Sequence, residues 1–204
     1  MKGLFFTFEG GEGVGKTTQL KRVAARLEKE GYHVVTTREP GGTPLAEEIR
    51  EMLLRPSGEN GLHAKTELLL YLAARAQHYY EKILPALEKG SIVLCDRFMD
   101  ATAAYQGFAR GLGLEKVEDM NSWILEGREP DGTVLLYTDI RSGLQRERAV
   151  NRLSLEPEDF HARVLEGYLE LARRHPGRIL ALDVTGRTID EVNRLIMERL
   201  RKWM

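Results

Sequence analysis

Five short apolar runs, at 4–8, 33–37, 91–95, 133–137 and 179–182, punctuate the chain. They are rich in Val, Ile, Leu and Phe, as strands buried on both faces should be. Between them, apolar positions recur at helical spacing. In 16–30, Leu20, Val23, Ala24 and Leu27 share one face and Gly31 is a stop signal. The same period predicts helices over 44–54, 64–89, 114–125, 158–174 and 189–203. Strand–helix–strand alternation predicts an α/β fold: a five-stranded parallel sheet with helices on both sides. The polar stretch 55–61 and the arginine-rich stretch 146–157 separate no second domain, so one domain over 1–204 is expected.

Composition narrows the setting. The 204 residues are enough for a full core. A net charge of −1 gives no electrostatic footprint for nucleic acid or an anionic membrane. The single cysteine, Cys95, fits a reducing compartment. Glu9 ends the first apolar run too early for a signal peptide or membrane span. The expectation is a cytoplasmic protein with neither membrane nor nucleic-acid partner.

Candidate chemistry begins at Gly10-Gly11-Glu12-Gly13-Val14-Gly15-Lys16-Thr17, followed by Thr18. The run matches G-x-x-x-x-G-K-[ST] and lies between a predicted strand and a predicted helix, as a phosphate-binding loop must. Its glycines let successive N–H groups converge on an anion, and the helix N-terminus adds positive potential. Lys16 is expected at the β- and γ-phosphates of ATP and Thr17 at Mg2+. The predicted fold is therefore the three-layer α/β/α P-loop NTPase type. The third strand closes on Asp96, the position of an aspartate beside nucleotide and magnesium. No Asn-Lys-x-Asp guanine reader is present.

A second phosphate site is written in Arg38-Glu39-Pro40-Gly41-Gly42-Thr43 and in Arg97. Both arginines follow strands at the carboxyl edge, where α/β folds bind ligands. Two guanidinium groups there suit a monoester phosphate.

These segments, with Ala73-Ala74-Arg75-Ala76-Gln77, Asp96-Arg97-Phe98 and Ala104-Tyr105-Gln106-Gly107, resemble bacterial thymidylate kinases in order and spacing. The resemblance runs from the first strand to the last helix. It implies transfer of the γ-phosphoryl of ATP to thymidine monophosphate, and a homodimer through helices that include 64–89. By position, Arg38 and Arg97 would hold the thymidylate phosphate, and Tyr71 would stack on thymine. Arg75 would donate to O4, Thr102 would face the other polar edge, and Gln106 would join the substrate site. Tyr105 would press where a ribose 2′-hydroxyl projects, and Glu12 would lie near the 3′-hydroxyl and the magnesium waters.

A phosphoryl acceptor that is already anionic needs no general base, so alignment and charge stabilisation remain. The phosphate loop carries no basic residue at Glu12, Gly13 or Val14. The resemblance places the missing cation in a short lid over about 141–157, on Arg146, Arg148 or Arg152. Arg146 and Arg187 are the implied adenine neighbours. The lid departs from the family in length and in Asn151-Arg152-Leu153-Ser154. Two rival readings are a related small-molecule kinase and a slow nucleotide switch. Turnover with and without monophosphates separates them.

Overall fold

The computed structural model describes residues 3–55, 61–146 and 151–204. Five strands form one parallel sheet: β1 (Leu4–Glu9), β2 (Val34–Arg38), β3 (Ile92–Asp96), β4 (Gly132–Tyr137) and β5 (Ile179–Asp183), in the order β2-β3-β1-β4-β5. Alternation along β1 divides the core in two. Phe5 packs with Val93, Cys95 and Leu135 on one face. Phe6 and Phe8 pack with Leu94, Val134 and Leu136 on the other. Both faces are covered, so the strands read as near-continuous apolar runs. The predicted α/β layering is what the chain adopts.

The helices are α1 (Lys16–Lys29), α2 (Pro44–Leu54), α3 (Ala64–His78), α4 (Leu84–Glu88), α5 (Met99–Thr102), α6 (Leu114–Ile124), α7 (Ile140–Arg146), α8 (Glu158–Arg174) and α9 (Ile189–Trp203). Helix α9 shows why the ends fall where they do. Thr188 Oγ1 accepts from the Glu191 N–H, and the Glu191 carboxylate accepts from the Thr188 N–H at 2.8 Å, a reciprocal cap. Helix α1 has no side-chain cap and no acidic residue in its first turn. Its leading N–H groups are left for an anion.

Three helical stretches differ from the expectation, one of them α7, where the apolar period predicted no helix. The predicted helix 64–89 is continuous but widens into a π segment at Tyr79–Ile83. Residues 99–109, for which the apolar period predicted no element, form α5 and a second π segment, Ala103–Ala109. In the latter, Arg110 N–H donates to Tyr105 O at 2.9 Å, five residues back. This segment packs on α8 through Gly167, where a Cβ would lie 2.9 Å from Phe108 Cβ.

The carboxyl ends of β1, β2 and β3 meet at one edge. Cross-strand register sets Phe8 beside Asp96, and Asp96 beside Arg38. The chain fills the sheet on one side of β1 before crossing to β4, so the loop after β1 sits at the topological switch point.

Candidate active site

The loop after β1 has the shape the glycine pattern requires. Gly10 adopts φ 133, and a Cβ there would overlap the Leu136 carbonyl oxygen. Lys16 curls back over the loop, its Nζ donating to Gly11 O at 2.5 Å. Burial, then the nearby Arg97 guanidinium, lowers its ammonium to about 8. The Thr17 hydroxyl donates to Asp96 Oδ2 at 2.5 Å. Glu12 turns the other way. Burial alone would raise its carboxyl, but Arg97 and then Lys16 outweigh that and bring it to about 2. Glu12 accepts from Arg97 Nη2 at 3.0 Å and from the Tyr105 hydroxyl at 3.3 Å.

Arg97 is the hinge between two halves of the site. Its φ is 66, a left-handed conformation that a non-glycine residue holds only when its surroundings impose it. Those surroundings are visible. Arg97 N–H donates to Phe8 O at 2.9 Å, and Phe98 N–H donates to Glu9 Oε1 at 2.7 Å. Glu9 is fully buried and also accepts from the Tyr168 hydroxyl at 2.8 Å. The Arg97 guanidinium is thereby aimed at the phosphate loop, donating to Gly10 O at 2.9 Å and lying 5.3 Å from the Tyr105 ring centre.

Beyond Arg97 opens a cleft of about 260 Å³. It brings together Glu12, Lys16, Thr17, Arg38, Tyr71, Arg75, Asp96, Arg97, Thr102, Tyr105 and Gln106, residues the sequence scatters over 95 positions. Arg38 sits at the mouth, half exposed, and donates to Glu47 at 2.8 Å. Arg50 on α2, a residue missed in the sequence, also lines the cleft and donates to Pro40 O at 2.8 Å. Burial, then Arg38, lowers its guanidinium, so three cations share this mouth. The available signal was its place on α2 one turn after Glu47.

At the far end Arg75 is fully buried. Its Nε and Nη2 both donate to Glu39 Oε2, at 2.9 and 2.7 Å, and its Nη1 donates to Thr102 Oγ1 and Asn121 Oδ1, each at 2.7 Å. Glu39 also contacts His78 Nδ1 at 3.1 Å, and His78 Nε2 meets Thr37 Oγ1 at 2.7 Å. Neither Glu39 nor Asn121 was anticipated. The arginine-glutamate-proline run of the second strand's loop was the only clue to Glu39.

Arg152, expected in the lid, is placed elsewhere. Its Nη1 pairs with buried Glu67 at 2.6 Å and its Nε donates to Leu53 O at 2.9 Å. The stretch after residue 150 therefore closes against α2 and α3, and Asn151 and Leu153 line the cleft. On the opposite side α7 lies directly on the phosphate loop. A Cβ on Gly143 would be 2.7 Å from Glu12 O, and a Cβ on Gly13 would lie 3.1 Å from Arg146 Cβ. Gly11, Val14, Tyr137 and Thr138 border a small second cleft there. Thr138 meets Thr185 at 3.1 Å, and exposed Arg187 donates to Asp183 O at 2.8 Å. Arg148 lies outside the described residues.

The family model for thymidylate kinase matches residues 8–196. The chain belongs to the thymidylate kinase family. It is 52% identical over 198 residues to the thymidylate kinase of Syntrophotalea carbinolica, covering 92% of this chain and 90% of that protein. It is 46% identical over 197 residues to that of Geobacillus sp. (strain WCH70), covering 94% and 93%. The crystal structure of thymidylate kinase from Ehrlichia chaffeensis superposes with a TM-score of 0.80 at 33% identity, covering 98% of this chain and 99% of that one. Like its family, the protein transfers a phosphoryl group from ATP to thymidine monophosphate, giving thymidine diphosphate. No described helix is long and apolar enough to cross a membrane.

Proposed function

We propose that the two halves of the site divide the reaction between them, with Arg97 at the junction. The carrying observation is that Arg97 reaches both the phosphate loop, through Gly10 O and Glu12, and the 260 Å³ cleft that it lines. Gly10 to Thr18 cradle the triphosphate, with Lys16 on its outer phosphates. Arg97, Arg38 and Arg50 hold the acceptor phosphate so that one of its oxygens faces the γ-phosphorus in line. That oxygen is anionic at neutral pH, so no proton has to be removed before attack. Tyr71 stacks on thymine, while Arg75, Thr102 and Gln106 meet its polar edge. Tyr105 and Glu12 meet the sugar, Tyr105 filling the space of a 2′-hydroxyl.

Thr17 and Asp96 would hold Mg2+, with Glu12 near its waters. A hydroxyl and a carboxylate in mutual contact at the phosphate loop are hard oxygen donors of the kind this ion takes. When bound, the ion would neutralise negative charge that develops on the phosphates during transfer. The lid cation falls to Arg146, whose Cβ lies beside Gly13, or to Arg148; the Arg152 guanidinium is engaged with Glu67. The loop 184–187, with Arg187, packs near adenine. We also infer a cytoplasmic homodimer. Leu69 on α3 and Trp123 on α6 are apolar side chains 57% and 81% exposed, which a subunit contact would cover.

The test is ADP release with ATP and magnesium across a panel of monophosphates. Thymidine monophosphate should exceed deoxycytidine monophosphate by at least about tenfold in kcat/KM. Arg97→Ala should collapse turnover with every acceptor. Turnover that survives Arg97→Ala intact would sink the division of roles.

A further inference from the structure

Glu67 lies outside the cleft, is completely buried, and is surrounded by donors. Arg152 Nη1 approaches its Oε2 at 2.6 Å, Arg110 approaches both oxygens at 3.4 Å, and Gln106 Nε2 donates to its Oε1 at 2.6 Å. The last bond has a consequence for the cleft. A salt-bridged carboxylate only accepts, so the amide of Gln106 must present nitrogen to Glu67 and turn its oxygen away. Gln106 lines the cleft, and its Oε1 has no partner among the described residues.

Arg75 is constrained in the opposite sense. Of its five N–H donors, two go to Glu39, one to Thr102 and one to Asn121. One Nη2 hydrogen is left over among these bonds. Thr102 adds no ambiguity, because its own hydroxyl hydrogen is spent on Met99 O at 2.9 Å. The polar end of the cleft therefore has one sense only: an acceptor from Gln106, and a donor from Arg75.

We propose that Glu67 is a positioning residue that fixes pyrimidine choice, by locking the Gln106 amide with its oxygen toward the base. A pyrimidine with N3–H and a 4-oxo group offers a donor and an acceptor, which this pair satisfies. Cytosine offers an unprotonated N3 and a 4-amino group, so acceptor meets acceptor and donor meets donor. A buried unpaired group of this kind is what separates close analogues in enzyme sites. Gln106 could serve cytosine N3 if its amide turned over, and Glu67 is what prevents that. The inference rests on the placement of the base at Arg75.

The experiment compares kcat/KM for thymidine and deoxycytidine monophosphates in Glu67→Gln. An amide at 67 can donate as well as accept, so Gln106 becomes free to flip. The thymidine-to-deoxycytidine ratio should fall at least tenfold, and kcat/KM for deoxycytidine monophosphate should rise in absolute terms, which damaged folding cannot produce. Parallel loss with both substrates, or an unchanged ratio, overturns the proposal. The double variant Glu67→Gln with Gln106→Leu should show the same ratio as Gln106→Leu alone, since the lock has nothing left to act on. Where Glu67→Gln fails to fold, Gln106→Leu decides: full discrimination without the amide overturns the lock. Arg75→Met separates the two levels. If it keeps full discrimination, the placement of the base is wrong. If it loses discrimination while Glu67→Gln and Gln106→Leu keep it, only the lock is wrong.

Discussion

Lys16 sits where its charge is both needed and disfavoured. Its ammonium is buried against the phosphate loop, with Arg97 nearby, and the two effects lower it from 10.5 to about 8. That fall corresponds to about 3 kcal/mol of lost preference for the charged form, since each pH unit is about 1.36 kcal/mol. The group is charged below pH 8 and neutral above it, so the contribution to triphosphate binding proposed for it would be present at pH 7 and lost as pH rises. At pH 7 about nine-tenths of the protein carries the charge, and at pH 9 about one-tenth, from the ordinary titration curve of a group at 8. kcat/KM for ATP reports the free enzyme, so it should fall about tenfold from pH 7 to pH 9. Glu12, held near 2, stays anionic throughout and adds no slope. The assay is initial-rate ADP release with ATP and thymidine monophosphate both well below saturation and at fixed ionic strength, from pH 6 to 10. Lys16→Arg is the control, because a guanidinium keeps its charge across this range. Its activity will be lower, but the fall centred near pH 8 should disappear. A wild-type profile that is flat to pH 9.5, or a fall that persists unchanged in Lys16→Arg, refutes the reasoning.

Two further outcomes concern buried charge. Glu39→Ala removes the partner of an arginine whose side chain is only 1% exposed, and breaking a buried pair from one side costs about 3–5 kcal/mol; urea unfolding that shows a loss under about 1 kcal/mol would mean that Arg75 is satisfied without it. Glu9 is raised from 4.5 to about 8, first by burial and then by Asp100. The folded state thus keeps a proton that the unfolded chain gives up. This contribution to stability is full below about pH 4.5 and is lost as pH rises through 8. The stability of the wild type relative to Glu9→Gln should decline steadily from pH 5 to pH 9 in chemical denaturation, and a difference independent of pH would falsify the assignment.

The phosphate loop, Asp96 and Arg97 were legible because their chemistry is local: a strand, a few residues, and a turn or helix fix their geometry. Tyr71, Arg75, Thr102, Tyr105 and Gln106 were named through the family resemblance, and the fold gathers them with Lys16 and Arg38 into one cleft. What holds them was not legible. Glu39 reaches Arg75 across 36 positions, and Glu67 reaches Gln106 across 39. Such pairs exist only after α3 has packed beside the loop that follows β2 and the segment that follows β3. Arg152 was grouped with Arg146 and Arg148 because they are close in sequence, yet its guanidinium turns to Glu67 on α3. Nothing in a run of charges tells which of them will face a buried carboxylate.

The π segment at Ala103–Ala109 also bears on how the gene can change. An α-helix advances about 100° per residue, and a wider turn absorbs one residue more than that phase allows. Tyr105, Gln106 and Gly107 lie inside this slack, with Thr102 just before it and Arg110 just after. Deleting a single codon here would let the segment tighten into ordinary helix and rotate whatever follows the cut by about 100°. A cut before Tyr105 would turn Tyr105 and Gln106 out of the cleft together, although neither residue was changed. Homologues that vary freely in composition around the segment should conserve its residue count.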